Sequence, residues 1–190
     1  MTTKTAELNS EFNNSNLEIM YSEADIQSRI AELGAEIARD YAGKELVLVG
    51  VLKGSCIFLA DLIRHIDLKL SIDFMAVSSY KDGMVSTGDV EILKDLATPI
   101  RGKDVIICED IVDTGLTLFR LTEILSSRGA NSLKIASLLN KPEPRIKREL
   151  AIDYCGFEIP NQFVVGFGLD AAGRYRNLPF IAVVKNPDLI

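Results

Sequence analysis

Two short stretches of the chain, ELVLVGVL at residues 45–52 and DVIICED at residues 104–110, are apolar without alternation. A strand with one wet face alternates apolar and polar residues. An unbroken apolar run of this length therefore suits a strand covered on both faces, as in parallel sheets with helices on either side. The intervening sequence supplies those helices. In Ser22–Tyr41 the apolar residues Ile26, Ile30, Leu33 and Ile37 fall on one helical face. Ser22 and Asp25 resemble a capping box with a shortened acid, and Gly43 closes the segment. CIFLADLIRHI is helical in pattern, and Thr114–Arg128 reads as a helix ended by Gly129. LSIDFMAVSSY, VEILKDL, SLKIASLLN, FVVGFGLD and FIAVVK read as further strands. The alternation predicts an α/β fold with a central, mainly parallel sheet flanked by helices. No repeat or long linker divides the 190 residues, so residues 18–190 are expected to form one domain.

Charge and rare residues narrow the chemistry. A net charge of −6 argues against a broad phosphate-backbone interface, though not against a local basic pocket for a small anion. The 3 cysteines, Cys56, Cys108 and Cys155, form no CxxC pair, and His65 is the single histidine. A zinc cluster or disulfide framework is not expected, and the thiols read as buried groups in a reducing compartment. His65 lies at a helix end, where a solvated or capping role suits it. No stretch approaches the roughly 18 apolar residues of a membrane span. Residues 1–17 are polar and lack an apolar signal core, so they are read as a loosely ordered arm of a cytoplasmic protein.

In open α/β sheets, ligands gather beyond the carboxyl ends of the strands. Here those ends carry Leu52, Lys53, Gly54 and Ser55, then Glu109, Asp110 and Asp113 followed by Thr114, Gly115, Leu116 and Thr117, and finally Asp170. Unpaired N–H groups at a helix start attract phosphate, and the threonines add hydroxyl donors. The acids cannot bind that phosphate. They can hold hydroxyls, bind Mg²⁺ or move a proton. Asp113 read alone serves equally well as a helix cap. The spacing Asp-x-x-Asp is not the Asp-x-Asp of a dehalogenase-type phosphatase, and no GxxxxGK[ST] loop is present. Residues 78–89, SSYKDGMVSTGD, with Gly83 and Gly88, read as a long hairpin or mobile loop.

The whole stretch VIICEDIVDTGLTL resembles the signature of the purine and pyrimidine phosphoribosyltransferases: an apolar strand, two acids, two apolar residues, then Asp-Thr-Gly-x-Thr. GVLKGSCIFLADLIR, DFMAVSSY, STGDVEILKDL, SLLNKPEPR and CGFEIPNQFVVGFGLD…RYRNLPFI follow the order of the family's 6-oxopurine branch, over roughly residues 18–184. The resemblance implies a type I phosphoribosyltransferase fold with a small hood and a flexible lid loop. It implies a Mg²⁺-dependent enzyme acting on 5-phosphoribosyl 1-diphosphate with hypoxanthine or guanine, giving IMP or GMP and pyrophosphate, and a homodimer or homotetramer.

By resemblance, Glu109 and Asp110 hold the ribose hydroxyls directly or through the metal, and Asp113 is the general base or acid at the purine. Asp113, Thr114, Gly115, Leu116 and Thr117 form the 5′-phosphate turn. Leu52, Lys53, Gly54 and Arg176 contact pyrophosphate, and the Leu-Lys peptide is often cis in the family. Ser79 and Tyr80 belong to the lid. Lys141 donates to the 6-oxo group, Phe163 stacks on the base, Val164 offers it backbone contacts and Asp170 binds metal. Taken alone, Phe163 in QFVVGF reads more readily as core, and Lys53 as a solvated lysine. Three departures stand out: Leu116 at the variable place of the turn, Asn140 where an apolar residue often precedes the lysine, and the small Ala171, Ala172 and Gly173. Alternatives are a guanine- or xanthine-preferring relative and a nucleic-acid-binding regulator with the same fold. The second would need a basic face or an added helix-turn-helix, and the chain shows neither.

Overall fold

The computed structural model describes residues 14–79, 90–147 and 149–189. In chain order the elements are β1 (Leu17–Tyr21), α1 (Glu23–Asp40), β2 (Leu46–Leu52), α2 (Ser55–Leu62) with a 3₁₀ turn at Ile63–His65, β3 (Leu70–Ser79), β4 (Val90–Lys94) and β5 (Asp104–Val112). Next come α3 (Leu116–Ser127), β6 (Ser132–Asn140), β7 (Tyr154–Glu158), β8 (Val164–Val165), β9 (Ile181–Val184) and a 3₁₀ turn at Pro187–Leu189. Among the described residues, the main sheet has the order β4-β3-β2-β5-β6-β7, and a smaller sheet has the order β1-β9-β8.

The main sheet is parallel except for its β3–β4 edge. The unbroken apolar runs are explained by burial on both faces. Leu46 and Leu48 of β2 and Ile106 and Cys108 of β5 pack on the side of α1 and α2. Val47, Val49 and Val51 of β2 and Val105 and Ile107 of β5 pack on the side of α3. Helix α1 begins with the expected capping box: Asp25 N donates to Ser22 Oγ, and Ser22 N donates to the Asp25 carboxylate at 3.0 Å. Its apolar face, Ile26, Ile30, Leu33 and Ile37, is fully buried. The helix after β5 starts at Leu116 rather than Thr114, because Gly115 takes φ 77° as its N-cap. Two strands were not foreseen. β1 begins at the last residue of the expected arm and pairs antiparallel with β9, and β7 is the far edge of the main sheet.

Strand order carries the functional consequence. The chain runs outward from β2 through β3 to β4, then returns to place β5 on the other flank of β2. The loops after β2 and β5 therefore diverge from neighbouring parallel strands, which creates a crevice at a topological switch point. The β1-β9-β8 sheet is the small hood, with its own apolar cluster of Val165, Leu178, Phe180 and Ala182. No helix among the described residues is long and apolar enough to cross a membrane. Cys56, Cys108 and Cys155 are free thiols, and His65 is exposed at the end of its 3₁₀ turn.

Candidate active site

Three loops meet at the switch point. After β2 the Leu52–Lys53 peptide is cis, and Gly54 precedes α2. Asp110 comes so close that a methyl group on Gly54 would lie 1.6 Å from Asp110 Oδ2. The third loop closes on the other side: with φ 99°, a methyl group on Gly168 would lie 2.1 Å from the Gly54 carbonyl oxygen. Only glycine permits either approach without displacing a neighbour. Arg176 ties the third loop together. Its Nη1 donates to the Gly168 carbonyl at 2.6 Å, and its Nη2 pairs with Asp170 Oδ1 at 2.6 Å. Gly173 N donates to the other Asp170 oxygen at 2.8 Å.

The acids create a surplus of negative charge. Burial, reinforced by the Asp110 carboxylate, pushes Glu109 well above the usual glutamate range. Burial also raises Asp110, with Asp170 adding to the effect, while backbone amides and Arg176 oppose it. Asp110 Oδ1 accepts from Ile111 N at 2.9 Å. Three carboxylates near one crevice, two of them held against their charged form, are a donor set that a divalent cation would relieve. No ready-made cage of three such ligands exists among the described residues. Mg²⁺ does not need one, because it is commonly held by one or two carboxylates together with substrate oxygens and water.

Beyond the acids the chain makes a sharp turn into α3. Glu109 and residues 111–118 line a small pocket of about 140 Å³. Gly115, at φ 77°, turns the chain into α3 at this pocket, where Leu116 N donates to Thr114 Oγ1 at 3.5 Å and the Gly115 carbonyl accepts from Phe119 N at 2.9 Å. Asp113 is exposed at the mouth. Such a helix start is an anion site without further ornament.

The base-binding candidates are Lys141, Phe163 and Val164. Lys141 is 7% exposed, and its N–H donates to the Val112 carbonyl at 2.9 Å, which fixes it against the end of β5. Phe163 is 44% exposed, so it is not the core residue its local sequence suggests. Val164 is buried in β8. Ser79 ends β3, and its side chain, with Tyr80, Gly83 and Gly88, lies outside the described residues. Two contributors were missed from sequence. Gly168 had only the GFG pattern as a signal. Arg145, whose Nε donates to the Asp113 carbonyl at 3.0 Å, had only its place in a basic connection.

Comparison with known proteins agrees with this geometry. Residues 18–172 match the phosphoribosyl transferase domain family. A hypoxanthine-guanine phosphoribosyltransferase of Streptococcus agalactiae is 54% identical over 167 residues, 88% of this chain and 92% of that one. Its namesake in Staphylococcus aureus is 54% identical over 168 residues, 88% and 93% of the two chains. A crystal structure of a Staphylococcus aureus hypoxanthine phosphoribosyltransferase superposes with a TM-score of 0.91 at 52% identity, covering 96% of this chain and 98% of that one.

The crowding of acids has a stability consequence. Because Glu109 is raised in the fold, its ionisation opposes folding above its folded pKa, and this cost vanishes below the unfolded value of about 4.3. Glu109→Gln is expected to raise Tm at pH 8. The gain should close as pH falls below about 4.3. A variant less stable than the parent at pH 8 would show that Glu109 is well paired rather than crowded.

Proposed function

The chain belongs to the phosphoribosyl transferase family, whose domain covers residues 18–172, and we propose that it is a purine-salvage glycosyltransferase acting on 6-oxopurines. It transfers the 5-phosphoribosyl group of 5-phosphoribosyl 1-diphosphate to hypoxanthine, and to guanine, giving IMP or GMP and pyrophosphate. The observation that supports this reading is the three-loop contact: the Gly54 loop, the Glu109–Asp110 pair leading into the start of α3, and the Gly168 loop meet at one crevice, with Lys141 held against the end of β5. The names of relatives 54% identical over most of their length support the substrate class. By likeness to the family we further place the enzyme in the cytoplasm as a homodimer or homotetramer.

The reaction breaks the bond from ribose to diphosphate. Positive character develops on the sugar, and negative charge on the leaving group. The N–H groups from Asp113 to Thr117 hold the 5′-phosphate, so the ribose is anchored at its far end. Glu109 and Asp110 receive the ribose hydroxyls, and their charge favours the developing cation. Leu52, Lys53 and Gly54, with Arg176, face the leaving pyrophosphate. Bound Mg²⁺, held by Glu109, Asp110 or Asp170, would neutralise charge on the diphosphate oxygens. Asp113, exposed at the mouth, exchanges a proton with the purine ring. Phe163 offers an exposed face for stacking, Val164 gives backbone contacts, and Lys141 donates to the 6-oxo oxygen. Ser79 and Tyr80 are assigned to a lid that excludes water.

Incubating the enzyme with hypoxanthine, 5-phosphoribosyl 1-diphosphate and Mg²⁺ should yield IMP, and excess chelator should stop it. Product at equal rates under both conditions would remove the metal, and no nucleotide from any purine would remove the activity. In the same assay Asp113→Asn should lower kcat by roughly 10²–10⁴-fold with little change in binding of the sugar diphosphate. A variant within a few-fold of the parent would leave Asp113 only a cap. Base choice gives a separate test. Lys141 only donates, so a 6-oxo group suits it and the 6-amino group of adenine does not. Lys141→Ala should cost hypoxanthine about 1.5–3 kcal/mol, the scale of a charged hydrogen bond, and narrow its advantage over adenine. Loss of activity with an unchanged preference ratio would show that Lys141 does not read the 6-position.

A further inference from the structure

A phosphate cradle has an underside. Residues 112–117 turn around the small pocket at the start of α3, and the carbonyls of Val112, Asp113 and Thr114 are satisfied by donors from the connection after β6. The residue just past β6 supplies one: Lys141 N reaches the Val112 carbonyl at 2.9 Å. The remaining donors come from the connection after β6. Ile146 N and Lys147 N both donate to the Thr114 carbonyl, at 3.0 and 3.2 Å. Arg145 supplies the rest. Its Nε donates to the Asp113 carbonyl at 3.0 Å, and its Nη2 to the Val112 carbonyl at 3.3 Å. Nη1 donates to the Leu150 carbonyl at 3.4 Å. The stem is seated too: a methyl group on Gly115 would meet Arg145 Cδ at 3.0 Å.

This guanidinium is oriented by a residue in β6. Nη2 of Arg145 also donates to Oδ1 of Asn140, and Asn140 Nδ2 donates to Glu158 Oε1 of β7 at 3.3 Å. Asn140 is the departure seen in the sequence, buried at 8% exposure and immediately before Lys141. A buried amide is satisfied only with partners on both sides, and here it has them. A chain of contacts thus runs from β7 through Asn140 and Arg145 to the backbone of Asp113.

We propose that Arg145, oriented by Asn140, is a positioning residue that locks the backbone of Asp113 and the phosphate turn in register with Lys141. The proton-transfer group, the anchor of the ribose and the reader of the base then move as one unit. This inference rests on the activity proposed above. A planar fork with five fixed donors can hold two carbonyls at the end of β5 and the Leu150 carbonyl together with a side-chain amide, whereas a lysine ammonium is a point charge on a flexible stem.

The test compares the parent, Arg145→Lys, Asn140→Leu and the double variant. The readouts are Tm, transfer to hypoxanthine at temperatures where each variant is folded, and binding of inorganic phosphate by calorimetry. Arg145→Lys should lower kcat by about 10²-fold, the cost of a displacement near 1 Å, with KM for hypoxanthine changed less than about threefold. Asn140→Leu should lower kcat by about tenfold at nearly unchanged Tm. Because both cut the same lock, the double variant should be no slower than Arg145→Lys within about twofold. Multiplying losses, or a folded single variant within about twofold of the parent, overturns the proposal. Should Arg145→Lys fail to fold, Asn140→Leu decides alone by the same criterion. Phosphate binding separates this claim from the activity. If the parent makes no nucleotide, the assigned reaction falls, and the lock then stands if Asn140→Leu weakens phosphate binding several-fold and falls if binding is unchanged.

Discussion

The site depends on the contact between Gly54 and Asp110. Parallel strands β2 and β5 are neighbours, so their carboxyl-terminal loops begin side by side and must part to go to opposite faces of the sheet. A side chain at residue 54 would hold them apart. Its absence lets the Asp110 carboxylate lie where a Cβ would be, and the Gly54 carbonyl then receives Gly168 from the third loop. Loops distant in sequence are thereby fixed against each other by backbone rather than by long side chains. Contacts of this kind place oxygen and nitrogen donors with the precision that a loose sugar-diphosphate transition state requires.

Electrostatics divides the crevice into two ends. The acids Glu109 and Asp110 resist ionisation, and Asp170 sits near enough to add to that resistance. Arg176 offsets part of the charge by pairing with Asp170. The start of α3, only a few residues beyond the acids, attracts anions instead. One turn of chain therefore offers a negative face and an anion-binding face. On the proposed reaction, the ribose hydroxyls and the positive character that develops on the sugar suit the negative face, and the 5′-phosphate suits the anion-binding face. The proposed function thereby accounts for acids and a hydroxyl-rich turn lying together in the sequence: they would serve the ribose ring and the 5′-phosphate of one phosphoribosyl group.

Much of this was legible because local and global signals agree. The periodic face of α1, its capping box and the unbroken runs of β2 and β5 each specify one arrangement, and the structure has them. β1 and β7 were not legible. Both are short strands at sheet edges, with half-exposed residues that give neither clean alternation nor a continuous apolar run. The sequence pattern starts α3 two residues early because threonine and glycine are both acceptable caps, and only the positive φ of Gly115 decides. Phe163 illustrates the reverse. Its apolar neighbours suggest core, yet its position just before the first residue of β8 leaves it exposed. Gly168 and Arg145 act on groups more than thirty residues away, and no spacing rule reports such contacts. The resemblance to a family supplied residue roles, and the geometry supplied reasons for them.

Replacing Gly54 by alanine tests the central claim most directly. Steady-state kinetics of Gly54→Ala with 5-phosphoribosyl 1-diphosphate, together with its Tm, separate the site from the fold. The new methyl group must displace the Asp110 carboxylate, a flexible side-chain end, so the fold should survive with Tm close to that of the parent. The account predicts that kcat/KM for the sugar diphosphate falls by about 10²-fold, as expected when catalytic groups move by roughly 1 Å. A Gly54→Ala enzyme with the parent's kcat/KM would contradict it, because the approach of Asp110 to this loop would then have no part in building the site.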